Sequence, residues 1–96
     1  MRKVVIRPRA YADLEGIWLY TFEKWNEEQA DRYLRQLHEA IQLLASEPER
    51  GKSREEIKPS YSSVHVGRHV AFYVFSDEMV GIDRVLHDQM DAPRHF

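Results

Sequence analysis

The spacing of apolar residues switches between strand-like and helix-like patterns along the chain, and these patterns predict most of its elements. Lys3–Ile6 is rich in β-branched residues and predicts a short strand. Pro8 follows at a position suited to begin a helix, where the missing N–H loses no hydrogen bond. Apolar residues then recur every three or four positions, as on one face of a helix. This face contains Leu14, Ile17, Trp18, Thr21, Phe22 and Trp25.

A second helix is predicted to begin just after Asn26. Asparagine is a favoured N-cap, and Gln29 three residues later completes a capping-box pattern. Pro48 is expected to end this helix, because the residue before a proline is disfavoured in the helical conformation. With a tight joint at residues 25–26, the two helices form a hairpin. The apolar face of the second helix contains Ala30, Tyr33, Leu34, Leu37, Ala40, Ile41 and Leu44.

The second half of the chain predicts three strands joined by short turns. After a charged loop over residues 49–59, Val64 and Val66 alternate with small or polar residues, as expected of an edge strand. His69–Phe75 is apolar at both parities, which indicates a central strand covered on both faces. Met79–His87 predicts the last strand.

The order of these elements predicts an α+β domain. An N-terminal strand precedes a two-helix hairpin, which packs on a three-stranded antiparallel sheet, and residues 1–96 form a single domain. On the last strand, Val80, Ile82 and Leu86 are expected to share one face. Arg84 has the same parity, so it points toward that face unless a β-bulge intervenes.

Composition and charge narrow the classes of function. The formal net charge is −2, so the chain lacks the basic excess of a general nucleic-acid binder, and we expect no sequence-specific DNA binding. The absence of cysteine rules out disulfides and thiolate metal sites and fits a cytoplasmic protein. We expect no membrane span and no signal peptide. A chain of 96 residues leaves no room for a separate cofactor domain, and we expect no cofactor.

Several segments of the sequence resemble the RelE/ParE superfamily of bacterial toxins, and the ParE branch in particular. The order of predicted elements is similar across nearly the whole chain. The end of the chain is the most specific part, where the matching residues are Arg84, Val85, Leu86, His87, Met90, Asp91 and Phe96. In the first helix they are Pro8, Ala10, Asp13, Leu14, Ile17, Trp18 and Tyr20, and residues 47–51 resemble the loop after the second helix. Arg7 departs from the family, which often has serine there, and arginine cannot accept an N-cap hydrogen bond.

The resemblance implies the toxin of a type II toxin–antitoxin system, with roles in growth arrest and plasmid stabilisation. It implies that the chain inhibits DNA gyrase by binding it, without catalysing a reaction. It also implies a ParD-like antitoxin whose disordered tail folds onto the toxin in a hetero-oligomer. A chain that only binds its antitoxin, and regulates transcription through that complex, is a further alternative.

Two sets of residues are candidates for these contacts. The closing segment is expected to contact the target through Arg84, His87, Met90, Arg94 and Phe96. An antitoxin helix is expected in an apolar groove across the helical hairpin, on Trp18, Phe22, Trp25, Leu37 and Ile41. Aromatic residues at helical spacing are more often core residues, which we expect of Trp18 and Tyr33, whereas Phe22 or Trp25 is expected to be exposed.

The alternative function is that of the RelE branch, which contains ribosome-dependent mRNA endoribonucleases. Such a reaction needs an acid and a base, and cations for the phosphorane. The candidates are His87 as acid or base, with Arg84 and Arg68 as cations. The end of the sequence resembles ParE more closely, and Asp88 and Asp91 beside His87 would repel an RNA backbone. A structural interpretation also exists for two candidates: His87 bonds a backbone carbonyl, and Arg84 pairs with an acid.

A metal site is not expected in the closing segment. His87, Asp91 and His95 recur every four residues, a spacing that aligns ligands on a helix. Pro93 disfavours a continuous helix there, and no fourth ligand is evident.

Overall fold

The computed structural model describes residues 1–90 and 92–96. The helices are α1 (Pro8–Lys24) and α2 (Glu27–Leu43), and two 3-10 turns cover Pro48–Arg50 and Ala92–His95. The strands are β1 (Lys3–Ile6), β2 (Lys52–Ser53), β3 (Ser62–Val66), β4 (His69–Phe75) and β5 (Met79–His87). Within the described residues these five strands form one sheet in the order β1-β5-β4-β3-β2. No helix in this part of the chain is both long and apolar enough to cross a membrane.

The predicted α+β order of elements is confirmed, but the sheet is wider than the three strands predicted. β3, β4 and β5 are antiparallel, as expected. β1 adds to one edge by pairing in parallel with β5. The two-residue strand β2 lies inside the predicted loop 49–59 and adds to the other edge. β1 pairs with a strand that lies far away in the sequence, and β2 is only two residues long. Apolar periodicity reveals neither feature.

The helical hairpin forms largely as its capping residues predict. α1 begins at Pro8, and the Asn26 side chain accepts a hydrogen bond from the Gln29 backbone N–H at 2.8 Å. α2 ends at Leu43, earlier than the predicted stop at Pro48. The backbone tightens there because the N–H of Leu44 bonds to the Ile41 carbonyl, three residues back. Leu44 is buried at the helix terminus.

Apolar side chains cover both faces of the sheet. We call the cluster beneath the helices the helix-side core, and it includes Ile17, Leu37, Ile41, Leu44, Ala71, Tyr73, Val80, Ile82 and Val85. We call the opposite cluster the tail-side cluster, and it comprises Tyr61, Phe72 and Leu86, with Ile57, Val70, Val74, Ala92 and Phe96 packed around them. β4 contributes to both clusters, so the predicted central strand covered on two faces is confirmed.

A β-bulge in β5 alters which side chains share a face. Arg84 pairs with Phe72 and Ile82 pairs with Tyr73, which leaves Asp83 as the extra residue. An inserted residue reverses the alternation of side chains beyond it. The bulge that the sequence left open for Arg84 is therefore present.

The consequence is a correction to the predicted face of β5. Val80 and Ile82 lie in the helix-side core, whereas Leu86 lies in the tail-side cluster. The prediction that the three share one face is wrong for Leu86, because the bulge lies between them.

Candidate binding groove and its anchors

A groove of about 1000 Å³ opens where the helical hairpin meets the ends of β4 and β5. Tyr20, Lys24 and Trp25 line it from α1 and the hairpin joint, and Tyr33 lines it from α2. The sheet side is formed by Arg68, His69, Arg84, His87 and Met90. The groove thus combines aromatic surface with several basic or titratable groups, a mixture suited to binding a macromolecule.

Arg84 is held in a largely buried ion pair with Asp13 of α1. Its Nε and Nη2 donate to the two carboxylate oxygens at 2.8 and 2.9 Å. The backbone N–H of Val85 donates to the same carboxylate at 2.9 Å. The side chains of Arg84 and Asp13 are only 12% and 16% exposed. The hydrogen bonds that Arg84 donates to Asp13 raise the pKa of its guanidinium, so Arg84 stays charged.

The third donor of Arg84 reaches the closing segment. Its Nη1 donates to the carbonyl of His95 at 3.1 Å. The Phe96 ring then packs edge-on against Phe72 and Tyr61, with centroids 5.0 and 5.3 Å apart. The closing segment is therefore anchored to β5 and to the tail-side cluster.

A polar chain joins α2 to the strand ends. The Tyr33 hydroxyl accepts a hydrogen bond from the Arg68 backbone N–H at 3.0 Å and lies 2.6 Å from His69 Nδ1. Burial raises the pKa of Tyr33 and lowers that of His69. In the neutral tautomer of His69 that carries its hydrogen on Nε2, Tyr33 donates to Nδ1. The rings of His69 and His87, which are paired across β4 and β5, lie 5.3 Å apart.

The outer surface of α1 carries exposed aromatic side chains. Trp18 and Phe22 are stacked with centroids 5.2 Å apart, and Trp18 Nε1 donates to Asp31 of α2 at 2.9 Å. Phe22 is 43% exposed and Trp25 is 66% exposed. The sequence predicts that Phe22 or Trp25 is exposed, and both are. Trp18 and Tyr33 are predicted to be core residues, but they are half-buried at the edge of the core.

The predicted antitoxin-binding set divides by exposure. Trp18, Phe22 and Trp25 present accessible ring surface, so their assignment stays a prediction. Leu37 and Ile41 are 2% and 1% exposed. Their predicted antitoxin contact needs correction, because their face of α2 is covered by the sheet and not by an open groove.

The predicted target-binding set also divides. His87 and Met90 line the groove, and Met90 is 48% exposed. Arg84 lines it too, but its donors are taken by Asp13 and His95, which is the acid-paired alternative considered for this residue. Arg94 is exposed, and Phe96 is partly buried against aromatic rings. Target contact by these residues stays a prediction.

The three nuclease candidates line the same groove. Arg84 is neutralised by Asp13. His87 Nδ1 accepts a hydrogen bond from the Gln89 backbone N–H at 3.1 Å, instead of donating to a carbonyl. Arg68 is exposed at the β3–β4 turn. Among His87, Asp91 and His95, whose spacing resembles that of metal ligands on a helix, Asp91 lies outside the described residues.

Sequence reasoning did not identify Asp13 as the partner of Arg84, or Tyr33 as the partner of His69. Asp13 lies 71 residues from Arg84, and Tyr33 lies 36 residues from His69. One signal existed: Asp13 is an acid at the edge of the apolar face of α1, where a buried partner would be required. The position of that partner could not be read from local pattern.

Comparison with proteins of solved structure identifies the fold. The structure described as "Chromosomal ParDE TA system from P. aeruginosa" superimposes with a TM-score of 0.79 at 18% sequence identity. The match covers 91% of this chain and 96% of that one. The fold is therefore shared with a protein of a toxin–antitoxin system.

Sequence comparison then identifies the family. The family described as "ParE toxin of type II toxin-antitoxin system, parDE" matches residues 4–92. Toxin ParE1 of Mycobacterium tuberculosis is 38% identical over 95 residues, covering 98% of this chain and 97% of that protein. Toxin ParE1 of Caulobacter vibrioides is 38% identical over 96 residues, covering 100% and 99%. The chain belongs to the ParE toxin family of type II toxin–antitoxin systems, which confirms the resemblance drawn from its sequence.

Proposed function

We propose that this toxin arrests growth by binding DNA gyrase in the bacterial cytoplasm, and that a ParD-like antitoxin neutralises it in a hetero-oligomer. Membership of the ParE family supports both partners. On this proposal the chain is not an enzyme, and gyrase is inhibited by contact alone.

The observation that carries this proposal is the exposed aromatic and apolar surface at the groove. Tyr20, Trp25 and Met90 line the groove and are 63%, 66% and 48% exposed. A domain of this size gains stability by burying such side chains, so a cluster left in solvent indicates a surface that a partner covers. Lys24 and Arg68 beside them add positive charge that would orient an acidic partner.

The nuclease alternative is less well supported by the same groove. A phosphorane needs a cation whose charge is available, and the charge of Arg84 is compensated by Asp13. The candidate histidine, His87, accepts a hydrogen bond at Nδ1 from the Gln89 backbone N–H of its own turn. A nuclease would therefore have to use Arg68 and His87 without Arg84.

A gyrase assay tests the proposal directly. The purified toxin is expected to inhibit supercoiling and to accumulate cleaved DNA, and the antitoxin is expected to abolish both effects. Trp25→Ala and Met90→Ala should each weaken inhibition by at least about tenfold if these side chains are hot spots of the interface, since truncating a hot spot costs about 2 kcal/mol or more and about 1.4 kcal/mol corresponds to tenfold. The matched control is Leu43→Ala, since Leu43 is also 48% exposed but is not among the residues that line the groove.

A second assay addresses the alternative. The toxin is added to programmed ribosomes, and the message is examined for cuts. Cleavage of the message, lost in His87→Gln and accompanied by normal supercoiling, would contradict the binding proposal and support the RelE-like reaction.

A further inference from the structure

We propose that Asp13 and Arg84 are positioning residues that hold the described residues of the closing segment, 88–90 and 92–96, as a pre-ordered contact surface for the target. This inference rests on the proposed function, because it concerns how the toxin presents itself to gyrase. It replaces the prediction that Arg84 itself touches the target.

The far end of the closing segment is held by Arg84. Nε and Nη2 are directed to Asp13, and Nη1 is directed to the His95 carbonyl at 3.1 Å. The Phe96 ring rests on Phe72 at 5.0 Å, and the Lys58 ammonium lies 6.0 Å from its centroid. With its side chain 12% exposed, Arg84 has little surface to offer a partner.

The near end of the segment is held at the close of β5. The backbone N–H of Asp88 donates to the Arg68 carbonyl at 2.9 Å, and that of Met90 donates to the His87 carbonyl at 3.0 Å. The Gln89 N–H donates to His87 Nδ1. The segment is therefore tied at both ends, and Met90 is exposed beside the first of these ties.

A segment tied at both ends has less conformational freedom to lose when a partner binds it. Ordering a free tail on binding would reduce affinity, since each residue fixed has an entropic penalty. The Asp13–Arg84 pair forms when the toxin folds, so the target binds a segment that is already ordered. A single carboxylate on α1 thus connects the first helix to the presentation of the chain's last residues.

Arg84→Lys separates the charge of the guanidinium from its ability to form several hydrogen bonds at once. A lysine retains the charge opposite Asp13 but has one ammonium group, so it cannot bond the carboxylate in two places and also reach the His95 carbonyl. We expect the variant to fold, with exchange of the backbone amides of Arg94, His95 and Phe96 about tenfold faster, as for the loss of one charge-assisted hydrogen bond. Inhibition of gyrase should weaken by about tenfold, because the segment must now be ordered on binding.

The controls distinguish positioning from a general loss of stability. Arg32→Lys alters a pair whose side chains are 63% and 81% exposed, and it should change neither amide exchange nor inhibition. Exchange in α2 and the affinity for the antitoxin on the outer surface of α1 should stay within about twofold in Arg84→Lys, since both lie away from the segment. Asp13→Asn is a second variant, expected to loosen the same amides.

Each outcome decides the inference. Unchanged amide exchange in both Arg84→Lys and Asp13→Asn overturns it, as does faster exchange with undiminished inhibition. Equal losses in exchange protection throughout α2 and the segment would also overturn it, because they indicate a structural role alone. If the unaltered toxin leaves supercoiling intact, the proposed function fails and this inference fails with it, whereas inhibition by the unaltered toxin leaves the inference to be decided by the variants.

Discussion

The two faces of the sheet are covered by different parts of the chain, although β4 and β5 supply side chains to both. In the described residues the helix-side core has ten buried members, most of them aliphatic, drawn from α1, α2, β4, β5 and the segments beside them. The tail-side cluster has three, two of them aromatic, covered by the loop before β3 and by the closing segment. We therefore expect the helix-side core to supply most of the stability, whereas the tail-side cluster is covered in part by the proposed target contact.

This difference assigns folding stability mainly to the two helices and the proposed target contact to the closing segment. A face covered by two long helices has many partners for each side chain, so a local disturbance is shared among them. A face covered by a short closing segment depends on a few ring contacts and on one arginine. We expect this segment to detach from the sheet at a lower free energy than the free energy needed to unfold the helix-side core. The variants below test this contrast, beginning with the largest expected effect.

Ile41→Ala should be the most destabilising of these substitutions. Ile41 is 1% exposed in the helix-side core, and removing a fully buried aliphatic side chain typically destabilises a domain by about 2–5 kcal/mol. Urea unfolding followed by circular dichroism measures the change. Leu19→Ala on the exposed surface of α1, where the side chain is 51% exposed, should change the midpoint little. Equal losses in the two variants would contradict the assignment of the core.

Phe96→Ala should have a smaller effect confined to the other face. The ring is partly buried against Phe72 and Tyr61, so we expect a loss of about 1–3 kcal/mol, below the value for a fully buried phenylalanine. Amide exchange should accelerate in the closing segment more than in α2, where the core is intact. A uniform acceleration across α2 would show instead that the two faces unfold as one unit. The same variant shows why deleting the segment is a poor test of target contact, since deletion also uncovers Phe72.

The helix-side face could largely be predicted from the sequence, and the tail-side face could not. Apolar spacing and the Asn26 cap define two helices, because these signals act over three or four residues. The bulge at Asp83 leaves no such signal, yet it determines that Leu86 leaves the core. The same holds for the partner of Asp13, which the chain brings from 71 residues away. Family resemblance indicated which residues to examine at the end of the chain, whereas the burial of Leu37 and Ile41 and the hydrogen bonds of Arg84 depend on contacts between distant segments.

The smallest expected effect concerns pH and lies at the end of the helix-side face. Burial, together with the neighbouring His87, lowers the pKa of His69 against the opposing charge of Asp88. The Tyr33 hydroxyl lies 2.6 Å from its Nδ1, and a protonated imidazole would have to donate there instead of accepting. Arg68, whose N–H bonds the Tyr33 hydroxyl, is a further positive charge close by.

The direction of the effect follows from which state binds the proton. In the unfolded chain His69 titrates near its ordinary pKa of about 6.5, whereas in the folded chain it resists protonation. Below that pH the unfolded state takes up a proton that the folded state does not, so stability is complete above about 6.5 and falls as the pH decreases toward the lowered pKa. His69→Gln should flatten this acid loss in thermal unfolding followed between pH 7.5 and 5, roughly the range over which histidine changes charge. His38→Gln, at an exposed position of α2, should leave the loss in place. An unaltered acid loss in His69→Gln would show that the link between α2 and β4 does not depend on a neutral imidazole, and that this end of the helix-side face is held by packing alone.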